Sequence, residues 1–421
     1  MIAIDFGTTN SSVALLSKDD TEPRLQVLEL GDTDSYDAHL LPSAVCRCAT
    51  YTCGNKETFG HEALRHGFEL PGHDVDLLQE MKLHFDPVTQ NPPTLVETKI
   101  LRALREEQGA LNPIMTIQRV ALYDGEVPLQ PAQFVPGTAR LVQQLISRSR
   151  TEEHDLAEVV LGVPASFRGK GARHLREAAR LGAFGKKDAY DKIHLYPEPL
   201  AAARSYMQIS KGNVLVLDYG GGTLDITVMQ IDDPGIFDQE KIHFDGFPEG
   251  GSAMDRRLLD YCLSKSREGR VAEWFRKQPL AVKMRIKRNV EKAKIRLSTQ
   301  ETANVELPNS GIGAISLDIQ DMCFALQPIM TRMATKVTQV VMKAVGKLEN
   351  INFVVMSGGA SLNGEVQRTV FAMFQHLEKE QFIIPDARDK GSVETCMCAV
   401  ARGLALLRRD GFAPLIVDSL P

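Results

Sequence analysis

Apolar positions along this chain fall into two rhythms. Residues 2–16 (IAIDFGTTNSSVALL) alternate apolar and polar on the way in, break at an Asp-aromatic-Gly-Thr turn, and leave on a second apolar run. Residues 215–229 (LVLDYGGGTLDITVM) repeat the pattern, with Asp218 over Asp5, Tyr219 over Phe6 and Gly220 over Gly7. Alternation with period two on both sides of a tight turn predicts strand, turn, strand. Two such hairpins, about two hundred residues apart, predict two similar lobes facing one ligand.

Between and after the hairpins the rhythm lengthens. Residues 39–128 are irregular and rich in Pro and Gly, with one modest helical stretch near 75–85, and read as an insertion packed on a core. Helical spacing marks 131–150, where Phe134, Leu141, Leu145 and Ile146 share a face. An apolar strand at 157–163 leads to a helix at 170–183, and Glu198-Pro199 opens another with Pro in its first turn. Beyond the second hairpin come amphipathic helices at 253–277 and 281–298, alternating strands within 303–319 and a long helix at 325–348. A buried strand at 353–359 then runs into a glycine turn, and a last helix spans 393–408. Strands alternating with helices in two similar halves make this an α/β protein.

The chain is 421 residues long, more than one ordinary core holds, which agrees with two lobes. Its net charge of −5 argues against nucleic acid as the partner, because phosphate contacts need clustered positive charge. The basic segment 282–298 carries an apolar stripe (Ile286, Val290, Ala293, Leu297) and reads as a helix with one solvated face. No apolar run approaches the ~18–20 residues of a membrane helix. With no basic leader before the first strand, a cytoplasmic location is the expectation. The seven cysteines are spread too thinly for a disulfide framework, and neither Cys46/Cys48/Cys53 nor Cys396/Cys398 is joined by enough His or Cys for a metal site.

The turns carry the chemistry. Gly220, Gly221 and Gly222 let backbone N–H groups converge on an anion because no Cβ blocks the approach, and Thr223 adds a hydroxyl. Gly7, Thr8 and Thr9 offer the same groups in the first copy. Asp5, Asp218 and Asp225 repel phosphate but can hold Mg²⁺ or its waters. One Asp-x-Gly hairpin alone is as often structural as functional; two, with Asp at the same place, point to a metal–nucleotide. Gly358-Gly359 after a third strand, Glu198 at a helix start and Lys82 in the insertion carry no such weight singly.

Taken together, these residues resemble the nucleotide-binding domain of DnaK-type heat-shock chaperones, within the actin and sugar-kinase superfamily. The resemblance runs through nearly all of residues 1–408 and rests on IDFGTTNSSVA apart from Ala3, LPSAV (41–45), VPASF (163–167), EPLAAA (198–203), LDYGGGTLDITV, Gly250-Gly251, EKAKIRLS (291–298) and MSGGAS (356–361). It implies an actin-like ATPase fold of two duplicated lobes, each with an inner mixed sheet and an outer subdomain, and ATP or ADP with Mg²⁺ in the cleft. Lobe I would span 1–206 with its outer part near 39–128, and a helix near 388–410 would pack back on it. Lobe II would span 207–387 with its outer part near 249–325.

The resemblance also assigns roles. Asp5 and Asp218 would organise Mg²⁺ through water. Gly7, Thr8, Thr9, Asn10 and the turn from Gly220 to Thr223 would hold phosphates, with Gly250 and Gly251 nearby. Lys82 would stand near the γ-phosphate, and Glu198, Asp225 and Thr223 would complete the catalytic set. Glu291, Lys294 and Ser298 would contact adenosine, and Gly358 and Gly359 would form its turn.

Three departures stand out. Ile295 and Leu362 occupy the places where the family sandwiches adenine between arginines, which removes about 0.5–2 kcal/mol of cation–π attraction per contact. Ser392 and Val393 stand where an acid is expected. Family chaperones continue through an apolar-Asp linker into a substrate-binding domain, whereas here PLIVDSLP (414–421) is linker-like and ends the sequence, so a short form is expected, with residues 411–421 as a tail docking as an edge strand on the second lobe. The implied function is a slow ATPase whose lobe motions a protein partner reads. A small-molecule kinase of the same superfamily and a non-hydrolysing nucleotide-sensing scaffold are the rivals.

Overall fold

The first hairpin forms as its alternation requires. Strands β1 (Ile2–Asp5) and β2 (Asn10–Leu16) pair antiparallel, with Asp5 directly opposite Ser12. Strands β3 (Leu25–Val27) and β4 (Leu41–Pro42) both join β2. A small antiparallel sheet follows, with β5 (Val45–Cys48) between β6 (Glu57–Phe59) and β7 (Val75–Leu78). Val75–Leu78 is therefore strand where helical spacing was read near 75–85; its pairing with β5 overrides the local pattern. Parallel strands β8 (Val159–Val163) and β9 (Ile193–Pro197) complete the first sheet in the order β3-β2-β1-β8-β9. This computed structural model describes residues 1–16, 25–28, 30, 40–43, 45–48, 57–60, 62–64, 75–78, 135–149, 156–165, 167, 169–185, 187–206, 211–233, 241–265, 270–278, 280–308, 311 and 313–415. Most of the 39–128 insertion lies outside that set.

The second sheet repeats the plan. Hairpin strands β10 (Gly212–Tyr219) and β11 (Leu224–Ile231) place Asp218 directly opposite Asp225. Edge strand β12 (Ile242–Phe247) pairs with β11. Strands β13 (Thr302–Leu307) and β14 (Gly313–Asp318) form a separate two-stranded sheet. Parallel strands β15 (Phe353–Ser357) and β16 (Phe382–Ile383) close the second sheet as β12-β11-β10-β15-β16. In both sheets the hairpin is antiparallel and its first strand has a parallel neighbour on the other side, the mixed pairing of an actin-like ATPase fold.

Helices cover the sheets. In chain order they are α1 (Val135–Ser149), α2 (Gly169–Phe184), α3 (Glu198–Ser205), α4 (Gly251–Lys265), α5 (Arg270–Lys277), α6 (Leu280–Arg296), α7 (Ile319–Val345), α8 (Gly364–Met373), α9 (Lys390–Met397) and α10 (Ala399–Arg409). Helix α7 starts six residues before its apolar spacing suggested, because Asp318 and Asp321 form a reciprocal capping box, and it stops at left-handed Gly346. The helix expected at 393–408 is broken at Cys398 into α9 and α10.

Strand alternation sorts the core into layers. Ile2, Ile4 and Phe6 face one way, against Leu141 and Leu145 of α1 and Leu175 of α2. Leu215, Leu217 and Tyr219 pack against α4, α6 and α7. The opposite faces meet in a third cluster, where Ala3, Ala14 and Val160 of the first sheet and Val214, Val216 and Val355 of the second enclose α3 and α10. A Cβ on Gly403 would sit 1.7 Å from the Ala201 carbonyl oxygen, so α10 crosses α3 at backbone contact. Packing these two faces around two small-residue helices brings the sheets, and with them the two glycine turns, against one another.

The segment after α10 lies on the first sheet. Leu415 N donates to the Leu195 carbonyl (2.8 Å) on edge strand β9, Tyr196 Oη donates to the Phe412 carbonyl (2.8 Å), and Arg204 pairs with Asp410. This corrects the expectation of a tail docked on the second lobe, as far as Leu415: β9 offers unpaired edge carbonyls, and the Tyr196 clasp directs the chain there. Residues 416–421 lie outside the described set.

Candidate functional site

The two hairpin turns meet. A Cβ on Gly221 would fall 2.1 Å from Thr9 Oγ1 and 2.9 Å from Thr9 Cβ, so only glycine lets the turns touch. The first turn is braced from behind: Ser43 N donates to the Thr9 carbonyl (2.8 Å), and Ser43 Oγ donates to the Gly7 carbonyl (2.7 Å) and shares a hydrogen bond with Ser11 Oγ (2.9 Å). Gly7 admits no side chain, because its Cβ would lie 1.9 Å from the Asn10 carbonyl oxygen. Thr8 is buried. The second turn is braced by the start of α4, where Gly251 N donates to the Gly220 carbonyl (3.0 Å) and Ser252 N to the Gly221 carbonyl (2.7 Å). A Cβ on Gly250 would lie within 2.7 Å of backbone atoms of Gly220, Gly221 and Gly222. Glycines at 220–222 and 250–251 thus stack as two layers of bare backbone, in which the Gly220 and Gly251 N–H groups are spent on the Thr223 and Gly220 carbonyls.

The acids stand at the strand ends that lead into these turns. Asp5 with Ser12, and Asp218 with Asp225, are cross-strand partners and so share faces. Asp225 accepts from Ala165 N (2.8 Å) through one oxygen and from Thr223 Oγ1 (3.4 Å) through the other. Because Ala165 follows β8, this hydrogen bond joins the second sheet to the first beside the turns. Asp218 accepts from Ser357 Oγ (2.8 Å). Buried Glu198 lies across β8, where a Cβ on Gly162 would stand 2.6 Å from Glu198 Cγ.

One side chain network flanks the glycine layers. Lys294 Nζ, on the last turn of α6, pairs with buried Asp255 (2.7 Å) and donates to the Gly251 carbonyl (3.2 Å). Burial and neighbouring Asp255 push the half-buried Glu291 carboxyl above the usual carboxylate range, against the pull of Lys294, Arg288 and Lys287. Ser298 is half-buried one turn further on, and Ile295 is 42% exposed. Gly358 has a left-handed φ of 80° and backs onto the Tyr219 carbonyl. Gly359 faces Met397, and Leu362 is half-buried at the end of the short turn they begin.

The structure therefore gathers Thr9, Gly220 to Thr223, Gly250, Gly251, Asp218, Asp225 and Lys294 into one connected site. Lys82 lies outside the described residues. Ser392, at a position expected to be acidic, accepts from Asp386 N instead. Two residues without a sequence-level assignment take part: Ala165, inside the VPASF motif, and Ser357. Hydrated Mg²⁺ fits this donor set. Beyond the three carboxylates, the hydroxyls of Ser12 and Thr227 are buried without a hydrogen-bond partner among the described residues, on the faces that carry Asp5 and Asp225. Buried polar atoms of this kind are satisfied by ordered water or by a hydrated ion.

Among the described residues, no helix is long and apolar enough to cross a membrane. Compared with known protein families, residues 1–388 match a model described as Hsp70 protein.

Proposed function

The chain belongs to the Hsp70 family, and from that premise we propose that it clamps Mg-ATP between its two glycine turns, hydrolyses it slowly, and passes the resulting lobe motion to a protein partner. The observation that supports this reading is the apposition of Thr9 with Gly221, which brings the two glycine turns together. In this mechanism Gly7, Thr8, Thr9 and Asn10 approach the phosphates from one lobe, and Gly220 to Thr223 from the other. Asp5 and Asp218 would hold the waters of a bound Mg²⁺, which would supply charge neutralisation at the phosphates. Asp225, fixed by Ala165 and Thr223, and Glu198, wedged over Gly162, orient water near the transferred group. Such positioning and charge stabilisation are most of what phosphoryl transfer asks of a protein. Lys294 and Glu291 face the ribose side, and Ile295 and Leu362 flank the base. Because Asp225 binds the backbone of the opposite lobe, a change in its surroundings is felt as a change in lobe angle.

The test is thermal melting with and without Mg-ATP, together with phosphate release in the absence of any added substrate. Stabilisation of about 2.7 kcal/mol is expected at a hundred times Kd, with slow release of phosphate. A second reading, a nucleotide-sensing scaffold that does not hydrolyse, is favoured by the exposed Ile295 at the base position; stabilisation without phosphate release would select it. Release only on adding a sugar or other metabolite would select a kinase, and no response to Mg-ATP would refute all three.

A further inference from the structure

Strand β15 ends on a residue that packing alone does not call for. Val354, Val355 and Met356 are apolar and buried, and Ser357 follows them, fully buried as well. In the parallel register Ser357 lies beside Asp218. Its hydroxyl donates to Asp218 Oδ1 (2.8 Å), with a longer approach to the Cys396 carbonyl (3.5 Å). The next residue closes on the same oxygen, since a Cβ on Gly358 would lie 2.8 Å from Asp218 Oδ1. Ser357 is itself held: its carbonyl accepts from Ser361 Oγ, and Tyr206, at the end of α3, stands beside both Ser357 and Asp218.

We propose that Ser357 is a positioning residue for the metal-organising carboxylate. By donating to Oδ1 it holds Asp218 in one rotamer, so the carboxylate would meet hydrated Mg²⁺ already ordered. Alanine would keep this buried strand position small and apolar but would remove the hydrogen bond that Asp218 Oδ1 accepts from the hydroxyl. Partners that orient a metal-organising group in this way commonly govern metal affinity by about 10–100-fold. The inference rests on the Mg-ATP reading above.

The experiment titrates Mg²⁺ against the rise in melting temperature that ATP produces in the full chain. S357A and S357V should need about tenfold more Mg²⁺ for the half-maximal rise, the lower end of that range because the ion is held through water. S357T, which keeps the hydroxyl, should return the requirement to near that of the wild type. In a D218N background S357A should add nothing, because Ser357 acts only through Asp218. Unchanged Mg²⁺ demand in S357A and S357V would overturn the proposal. So would a full additional effect of S357A on top of D218N, which would make Ser357 a packing residue. A wild-type chain without any Mg²⁺-dependent response to ATP would overturn the nucleotide reading and this one together, whereas a responsive wild type with an indifferent S357A overturns this one alone.

Discussion

Substituting Gly221 by alanine isolates the contact between the two turns. Gly221 does not sit in the left-handed region, so alanine imposes no backbone strain there. What it adds is one methyl group, placed 2.1 Å from Thr9 Oγ1, 2.9 Å from Thr9 Cβ and 3.4 Å from Thr9 N. The hydroxyl can swing away, but Cβ is fixed to the backbone, so the turns themselves must separate. Overpacking of this kind costs about 1–3 kcal/mol. If the touching turns are the state that binds Mg-ATP, affinity should fall by about 5- to 150-fold. Calorimetric titration of Mg-ATP into G221A measures this directly. Removing the obstructing atoms from the other side should restore closure, so T9G/G221A should bind more tightly than the two single variants predict by addition, with a coupling of about 1–3 kcal/mol. The cycle matters because T9G alone removes a candidate phosphate donor. Wild-type affinity in G221A, or zero coupling with T9G, would refute the claim that these turns meet around the ligand.

Three further predictions follow from named contacts. K294M leaves Asp255 buried without its partner and should lower unfolding free energy by about 3–5 kcal/mol in urea titration; a loss below about 1 kcal/mol would mean that Asp255 is solvated. I295R would set a cation where the base is proposed to lie and should tighten ATP binding by about 2- to 30-fold, from about 0.5–2 kcal/mol of cation–π attraction, and unchanged affinity would place the base elsewhere. Burial and then Arg408 lower the pKa of His194, against the pull of Glu158 and with Arg176 adding to the repulsion, so the folded chain favours neutral imidazole. That contribution to stability is whole above the ordinary histidine pKa and is lost as pH falls through the lowered folded value; H194Q should therefore lose less stability than wild type between pH 7 and pH 5, and equal losses would count against it.

Legibility in the sequence followed the range of the physics involved. The hairpins could be read because strand alternation reports which face each residue takes, and Asp5 and Asp218 fall at the same phase of that alternation. Strand β12 escaped because its residues alternate poorly: His243 is half-buried, and Phe244 and Asp245 are exposed. Its place comes from the ladder with β11. The start of α7 was recoverable from the Asp318/Asp321 pair, a local signal that apolar spacing alone overlooks. The site divides in the same way. Glycines and acids announce themselves by type, but their partners do not. Ala165 acts through a backbone N–H, which any residue other than proline could supply, so only the fold reveals that it holds Asp225. Ser357 ends an apolar strand and reads as a tolerated small residue until the β10–β15 register sets it beside Asp218.

The tail shows the limit of motif reading most clearly. LIVD suggests an edge strand, and an edge strand needs an open edge, but which edge it meets rests on contacts invisible in the motif. Tyr196 and Arg204 fasten Phe412 and Asp410 to the first lobe before the apolar residues begin, so Leu415 meets the Leu195 carbonyl first. Two fastenings just upstream fix where the short segment that follows can reach, because each extra residue adds at most about 3.3–3.6 Å of span. For residues 410–415, tethering from α10 therefore outweighs β propensity in selecting the docking edge.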